Sequence, residues 1–108
     1  MKNEQMIKEF AQVEVLPGKD GEFVAAVNLA VDKVLSTARG FIAFEIYNSV
    51  ERENVYMFDI QWATLVDHTI GFRESDLFPK WRAIIGPFFA SPPQVEHWGI
   101  VLAAAGTE

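Results

Sequence analysis

From Val55 to Trp62 apolar and polar residues alternate. Tyr56, Phe58, Ile60 and Trp62 fall on one face and Val55, Met57, Asp59 and Gln61 on the other, which is the period of a strand. Past Trp62 the period lengthens. Thr64 is a good N-cap, and Asp67 three residues later completes a capping-box-like pattern that also suits the helix dipole. Leu65, His68 and Phe72 then share one stripe of a predicted helix, with Val66 and Ile70 beside them. A strand ending in an indole meets, one turn on, a helix bearing an imidazole. A site is expected at that corner.

The rest of the chain follows the same two periods. Residues 6–16 alternate, with Ile7, Ala11, Val13 and Val15 on one face and Lys8, Gln12 and Glu14 on the other, up to the turn Leu16-Pro17-Gly18-Lys19-Asp20-Gly21. A helix is expected from about Glu22 to Ala38, burying Phe23, Val27, Ala30 and Val34, with Gly40 past its end. Phe41–Asn48 reads as a second strand, joined to the third by a polar connection of hairpin length. Ser75 or Asp76 can cap a short helix carrying Leu77, Phe78, Trp81, Ile84 and Ile85, with Pro79 tolerable in its first turn. Gly86–Pro93 reads as an irregular loop whose Phe88 and Phe89 fold over something, and Val95–Leu102 as the last strand. His97 in that strand, with Trp98 on the opposite face, is a weaker candidate for a site or an interface.

The order β-α-β-β-α-α-β predicts an α+β, ferredoxin-like split βαβ fold: a four-stranded antiparallel sheet with helices on one face. The whole chain, 1–108, reads as one domain. Val55 and Met57 make the second sheet face less polar than a solvated face should be. Another subunit's sheet would cover it, giving a homodimer through sheet faces.

Composition sharpens this picture. Half the residues are apolar and nine are Phe, which suits a ring-lined cavity or a buried contact with a second copy. The net charge of −6, without a Lys/Arg cluster, argues against nucleic acid and anionic membrane surfaces as partners. No cysteine is present, which excludes disulfides and thiolate chemistry and fits a reducing, cytoplasmic setting. No apolar run has the length of a membrane span. Two histidines 29 positions apart, with no His-x-x-x-His spacing, make no case for a metal; no cofactor motif is present.

Taken in order, Val-Leu-Pro-Gly-Lys at the first turn, Gly-Phe-Ile-Ala-Phe-Glu-Ile-Tyr in the second strand, Trp62 with His68 around the third, and the late Phe-Arg-Glu-Ser…Phe…Trp…Phe…Pro run resemble the antibiotic biosynthesis monooxygenase family over roughly Phe10 to Ile100. The resemblance implies a dimeric α+β barrel and a cofactor-free oxidation of a small aromatic molecule by O2. Counting from the strand-end tryptophan, Tyr47, Trp62 and Arg82 match the pocket tyrosine, tryptophan and arginine of a quinone-forming member. Phe58 stands where that member has an asparagine, and His68 where it has a tyrosine. The haem-degrading branch is similar in fold, but the first strand offers only Glu14 and Gln12 toward its ligands.

The chemistry needs a base, donors facing a developing oxyanion, and a dry aromatic cleft, because triplet dioxygen must take its electron from an easily ionised donor. His68 is expected as the base or hydrogen-bond partner and Trp62 as the second catalytic side chain. Tyr47, Phe58, Phe72 and Arg82 are expected to bind the substrate. The rivals are a non-catalytic binder of a small hydrophobic molecule, a haem-degrading or isomerase relative, and a hollow filled by Phe72, Phe88 or Phe89.

Overall fold

Tight turns and two short helices set the topology. The structure, a computed structural model, describes residues 5–107. Strand β1 (Ile7–Glu14) is followed by helix α1 (Asp20–Lys33), strands β2 (Phe41–Asn48) and β3 (Val55–Trp62), helix α2 (Leu77–Ile85) and strand β4 (Gln94–Trp98). The strands pair antiparallel in the order β2-β3-β1-β4. This is the expected ferredoxin-like sheet. β1 and β3 lie at its centre, so their inward residues meet the helices, and both helices pack on that one face.

The inner layer is built by parity. Ala11 and Val13 of β1 and Tyr56, Phe58, Ile60 and Trp62 of β3 are all buried, against Phe23, Val27 and Ala30 of α1 and Trp81 and Ile85 of α2. Phe23 is fully buried among Tyr56, Phe58, Phe88 and Phe89, with ring centroids 5.1 to 6.5 Å away. Burying one such ring stabilises by roughly 1.5–3 kcal/mol. On the outer face Val55 and Asp59 are buried, and Asp59 pairs with Lys8 at 3.2 Å.

Several elements differ from the sequence reading. α1 ends at Lys33 rather than Ala38, and a 3₁₀ turn spans Leu35–Thr37. The hydroxyls of Ser36 and Thr37 donate to the carbonyls of Asp32 and Val34, competing with the helical ladder. The helix after Thr64 is a π-helix over Asp67–Phe72, with the Arg73 N–H reaching back to the His68 carbonyl; periodicity does not distinguish this wider turn. Gly86–Phe88 closes a 3₁₀ turn inside the loop expected to be irregular. β4 stops at Trp98 and leaves Ile100, Val101 and Leu102 exposed.

Candidate functional site

A carboxylate stands where the apolar parity of β1 calls for an apolar residue. Glu9 lies between Ile7 and Ala11 on the inward face, opposite Ile60 on one side and His97 on the other, and it is buried. Burying a charge is costly unless partners satisfy it. Two do so here: the Trp62 Nε1–H donates to Glu9 Oε1 at 2.9 Å, and His68 Nε2 lies 3.2 Å from the same oxygen.

His68 is held in place by the corner that the sequence marked. The Asp67 N–H donates to Thr64 Oγ1 at 3.1 Å, the expected cap. Gly40 accepts from the Ala63 N–H at 2.7 Å. At Gly40 φ is +83°, and a Cβ there would stand 2.3 Å from the Asp67 side chain, so only glycine allows the strand end and the π-helix to approach this closely. One residue on, the imidazole stacks on Trp62 with centroids 5.3 Å apart and planes 24° apart. Its Nδ1 meets Nε2 of exposed His97 at 2.7 Å.

Glu9, His68 and His97 therefore form a hydrogen-bonded line from the interior to the surface. With Glu9 ionised, His68 donates to it from Nε2 and accepts from His97 at Nδ1. With Glu9 protonated on Oε1, every bond in the line reverses. The two arrangements differ by one proton, which enters or leaves at His97. Burial pushes the Glu9 carboxyl up to about 7, against the Trp62 hydrogen bond and the nearby Arg73 charge, which lower it. Burial, then His97 and Arg73, push His68 down to about 4. Burial, then Arg73, also lower His97. Among the described residues no group of three or more side chains is placed to hold a metal ion. The 2.7 Å between facing nitrogens is also shorter than the roughly 3 Å that separates two ligands each about 2.1 Å from one ion.

Beside this line lies a cavity of about 220 Å³, walled by Glu9, Phe58, His68, Arg73, Trp81 and Arg82 among others. Both Glu9 contacts go to Oε1; Oε2 takes no hydrogen bond among the described residues, yet no buried polar atom there lacks a partner. Oε2 is therefore open, on the cavity side. A wider groove of about 750 Å³ between α1 and β2 offers only Asn28 and Glu45 as polar side chains.

The six side chains expected from the sequence divide. His68, Phe58 and Arg82 line the cavity. Trp62 does not: it is fully buried behind His68 and touches the site through Glu9. Phe72 packs against Trp62 and Trp81, at 5.4 and 6.4 Å, and also stays out of the wall. Tyr47 is on the opposite sheet face, paired with Met57 and donating to Glu45, because its strand parity points it away from the helices. Of the rings that could have filled the hollow, Phe89 forms part of its wall and Phe88 packs on Phe23. Sequence reasoning passed over Glu9, Arg73 and the pairing of His97 with His68. The signal for Glu9 was its odd position in a strand whose other odd positions are apolar.

A split βαβ sheet with a carboxylate–imidazole line beside a small aromatic cavity defines an α+β protein with a partly open site between sheet and helices. The family model for antibiotic biosynthesis monooxygenase matches residues 6–84, and the chain belongs to that family. An uncharacterized Bacillus subtilis protein, YczJ, is 32% identical over 93 residues, covering 86% of this chain and 97% of that protein. A Bordetella bronchiseptica structure, described provisionally as an antibiotic biosynthesis monooxygenase, is 37% identical with a TM-score of 0.86, over 91% of this chain and 99% of that one. A Caulobacter crescentus structure with the same provisional description is 25% identical with a TM-score of 0.77, over 94% of each chain.

Proposed function

We propose that the protein is a cofactor-independent monooxygenase of a small quinol-type aromatic molecule, with Glu9 as the general base. The observation that carries this reading is the Glu9 carboxylate, with one oxygen fixed by Trp62 and His68 and the other open to the cavity. His68 was expected from the sequence as the base or hydrogen-bond partner. Both its nitrogens are engaged and burial holds it neutral, so its part is the hydrogen-bond partner that connects Glu9 to His97. A carboxyl near 7 matches a base working at neutral pH. Trp62 is a positioning residue.

Glu9 Oε2 takes the proton of a ring hydroxyl. The resulting anion gives one electron to O2, and the two radicals join at an unsubstituted ring carbon. The peroxide then loses water to leave a new oxygen on the ring. Hydroquinone would become hydroxybenzoquinone: one atom of O2 enters the ring, the other leaves as water, and the substrate supplies all four electrons. Phe58 and Trp81 stack on the ring and exclude water from it. The size of the hollow narrows the guest: a dry cavity of about 150 Å³ holds benzene, so about 220 Å³ suits one ring or two fused rings.

The proposed setting is a cytoplasmic homodimer joined through the outer sheet faces, a reading supported by the half-buried Phe10 and Met57 and the exposed Tyr47 and Trp98 on that face. A monomer in sedimentation at micromolar concentration would refute the dimer. The reaction is tested by oxygen uptake with a panel of hydroquinones, with peroxide assayed alongside. Uptake without matching peroxide is the expected result. Equal peroxide release, or no uptake across the panel, overturns the monooxygenase reading.

A further inference from the structure

The chain carries 15 acidic against 9 basic side chains, yet its cavity has the opposite balance. Arg73 and Arg82 both stand in the wall, and Glu9 is the sole carboxylate among the lining residues. Neither arginine has an ion-pair partner among the described residues. Each guanidinium instead lies over a ring of the same wall: Arg73 over Phe78 at 5.5 Å and Arg82 over Phe89 at 5.9 Å. Stacking of this kind leaves the in-plane N–H donors unused while holding the cation in place. Both arginines are exposed, whereas Glu9 and His68 are buried. The cavity therefore has a cationic mouth and a carboxylate–imidazole floor.

We propose that this site takes an anionic aromatic molecule, one ring or two fused rings bearing a carboxylate that Arg73 and Arg82 hold at the mouth while a ring hydroxyl reaches Glu9. The inference names the substrate class of the proposed reaction and rests on that reading for the hydroxyl's part only. A carboxylate matches the guanidinium fork in geometry as well as charge. On a chain of net charge −6, two cations at a concave mouth, without an ion-pair partner among the described residues, focus a positive field there and favour an anion. The acid also fixes which end of the ring enters first. A neutral quinol has no such handle, and either end can lead.

The test is anaerobic calorimetry at pH 7.5 with 2,5-dihydroxybenzoate, its neutral isostere 2,5-dihydroxybenzamide, and hydroquinone. Without oxygen the measurement reads affinity alone. The acid should bind at least tenfold more tightly than the amide. Arg73→Gln with Arg82→Gln should abolish that preference, lowering the acid's affinity at least tenfold. Salt supplies a check on the unmutated protein: between 20 and 300 mM the acid's affinity should fall severalfold and the amide's should not. Equal binding of acid and amide, or no binding of the acid at millimolar concentration, overturns the inference. Acid binding without subsequent oxygen uptake would leave this inference standing and remove the monooxygenase. Uptake with hydroquinone and no preference for the acid would do the reverse.

Discussion

The inner layer of the sheet has two ends along one strand, and they are filled differently. At the end of Val15, just beyond β1, Phe23, Tyr56 and Phe88 close over the strands, while Val13, Phe58 and Phe89 belong both to this packing and to the cavity wall. The polar atom there, the Tyr56 hydroxyl, reaches the layer's edge and donates to Asp20 at 2.6 Å. At the end of Glu9 the polar atoms are buried in the middle, and about 220 Å³ is left open. An empty volume of that size costs on the order of 5 kcal/mol at most, less where water enters. One strand face thus carries both a packed core and a hollow. The hollow adds nothing to stability, so the two ends should answer to different substitutions.

The largest separation is expected from Glu9→Gln. The amide has nearly the same shape but cannot take a proton, so oxygen uptake should fall about 10²- to 10⁴-fold. Circular dichroism should show a folded protein, since no side chain of the packed end is touched. A variant retaining more than a tenth of the activity would move the base elsewhere. In the unmutated protein, the proposed activity should rise with pH through about 7 as Glu9 ionises. Trp62→Phe removes the hydrogen bond that lowers the Glu9 pKa, so that limb should move to higher pH by one to two units, a hydrogen bond to a charged group being worth about 1.5–3 kcal/mol. A lower rate with an unmoved limb would mean that Trp62 only packs.

The opposite test is Phe23→Ala. Truncating a fully buried ring at the packed end should cost about 3–5 kcal/mol of unfolding free energy, measured by urea denaturation. Activity per folded molecule should stay within about twofold. A larger loss of activity would show that the two ends are mechanically coupled.

The pH dependence of stability divides the site end further. Glu9 is raised in the folded state, so the stability it contributes is full below about 4.5 and is lost as pH rises toward 7. His68 is lowered, so its contribution is full above about 6.5 and is lost as pH falls toward 4. Between 4.5 and 6.5 the two slopes oppose and largely cancel. Glu9→Gln removes one of them, and the variant should lose stability steadily on acidification below 6.5 where the parent does not. Parallel curves for parent and variant would show that the two groups are not set against each other.

How much of this was visible in the sequence depends on whether a period or a pairing decided it. The strands β1, β2 and β3, the buried stripe of α1 and the cap at Thr64 follow from local periodicity and capping, and the split βαβ order follows from them. The π-helix does not, because its turn differs from an α-turn by one hydrogen-bond step and His68 and Phe72 fit either. His97 was in view as a residue, but its contact with His68 joins positions 29 apart through the pairing of β4 with β1. Glu9 was legible from parity alone and was passed over, since a charged residue in a strand is easily given to the solvent face. Arg73 follows a helix whose exit direction local rules do not set.

The smallest effect should come from Tyr47→Phe, and it separates parity from family resemblance. Matching the chain to a quinone-forming relative puts Tyr47 in the pocket, whereas strand alternation puts it across the sheet beside Met57 and Glu45. Removing the hydroxyl there ends one exposed hydrogen bond. Surface changes of this kind shift stability by no more than about 0.5 kcal/mol, and oxygen uptake should stay within about twofold. A tenfold fall in uptake with unchanged stability would require the hydroxyl to reach a substrate, which from that face only a second subunit's cavity could provide. The same substitution therefore reads whether the outer face is merely covered by a partner or also completes the partner's site.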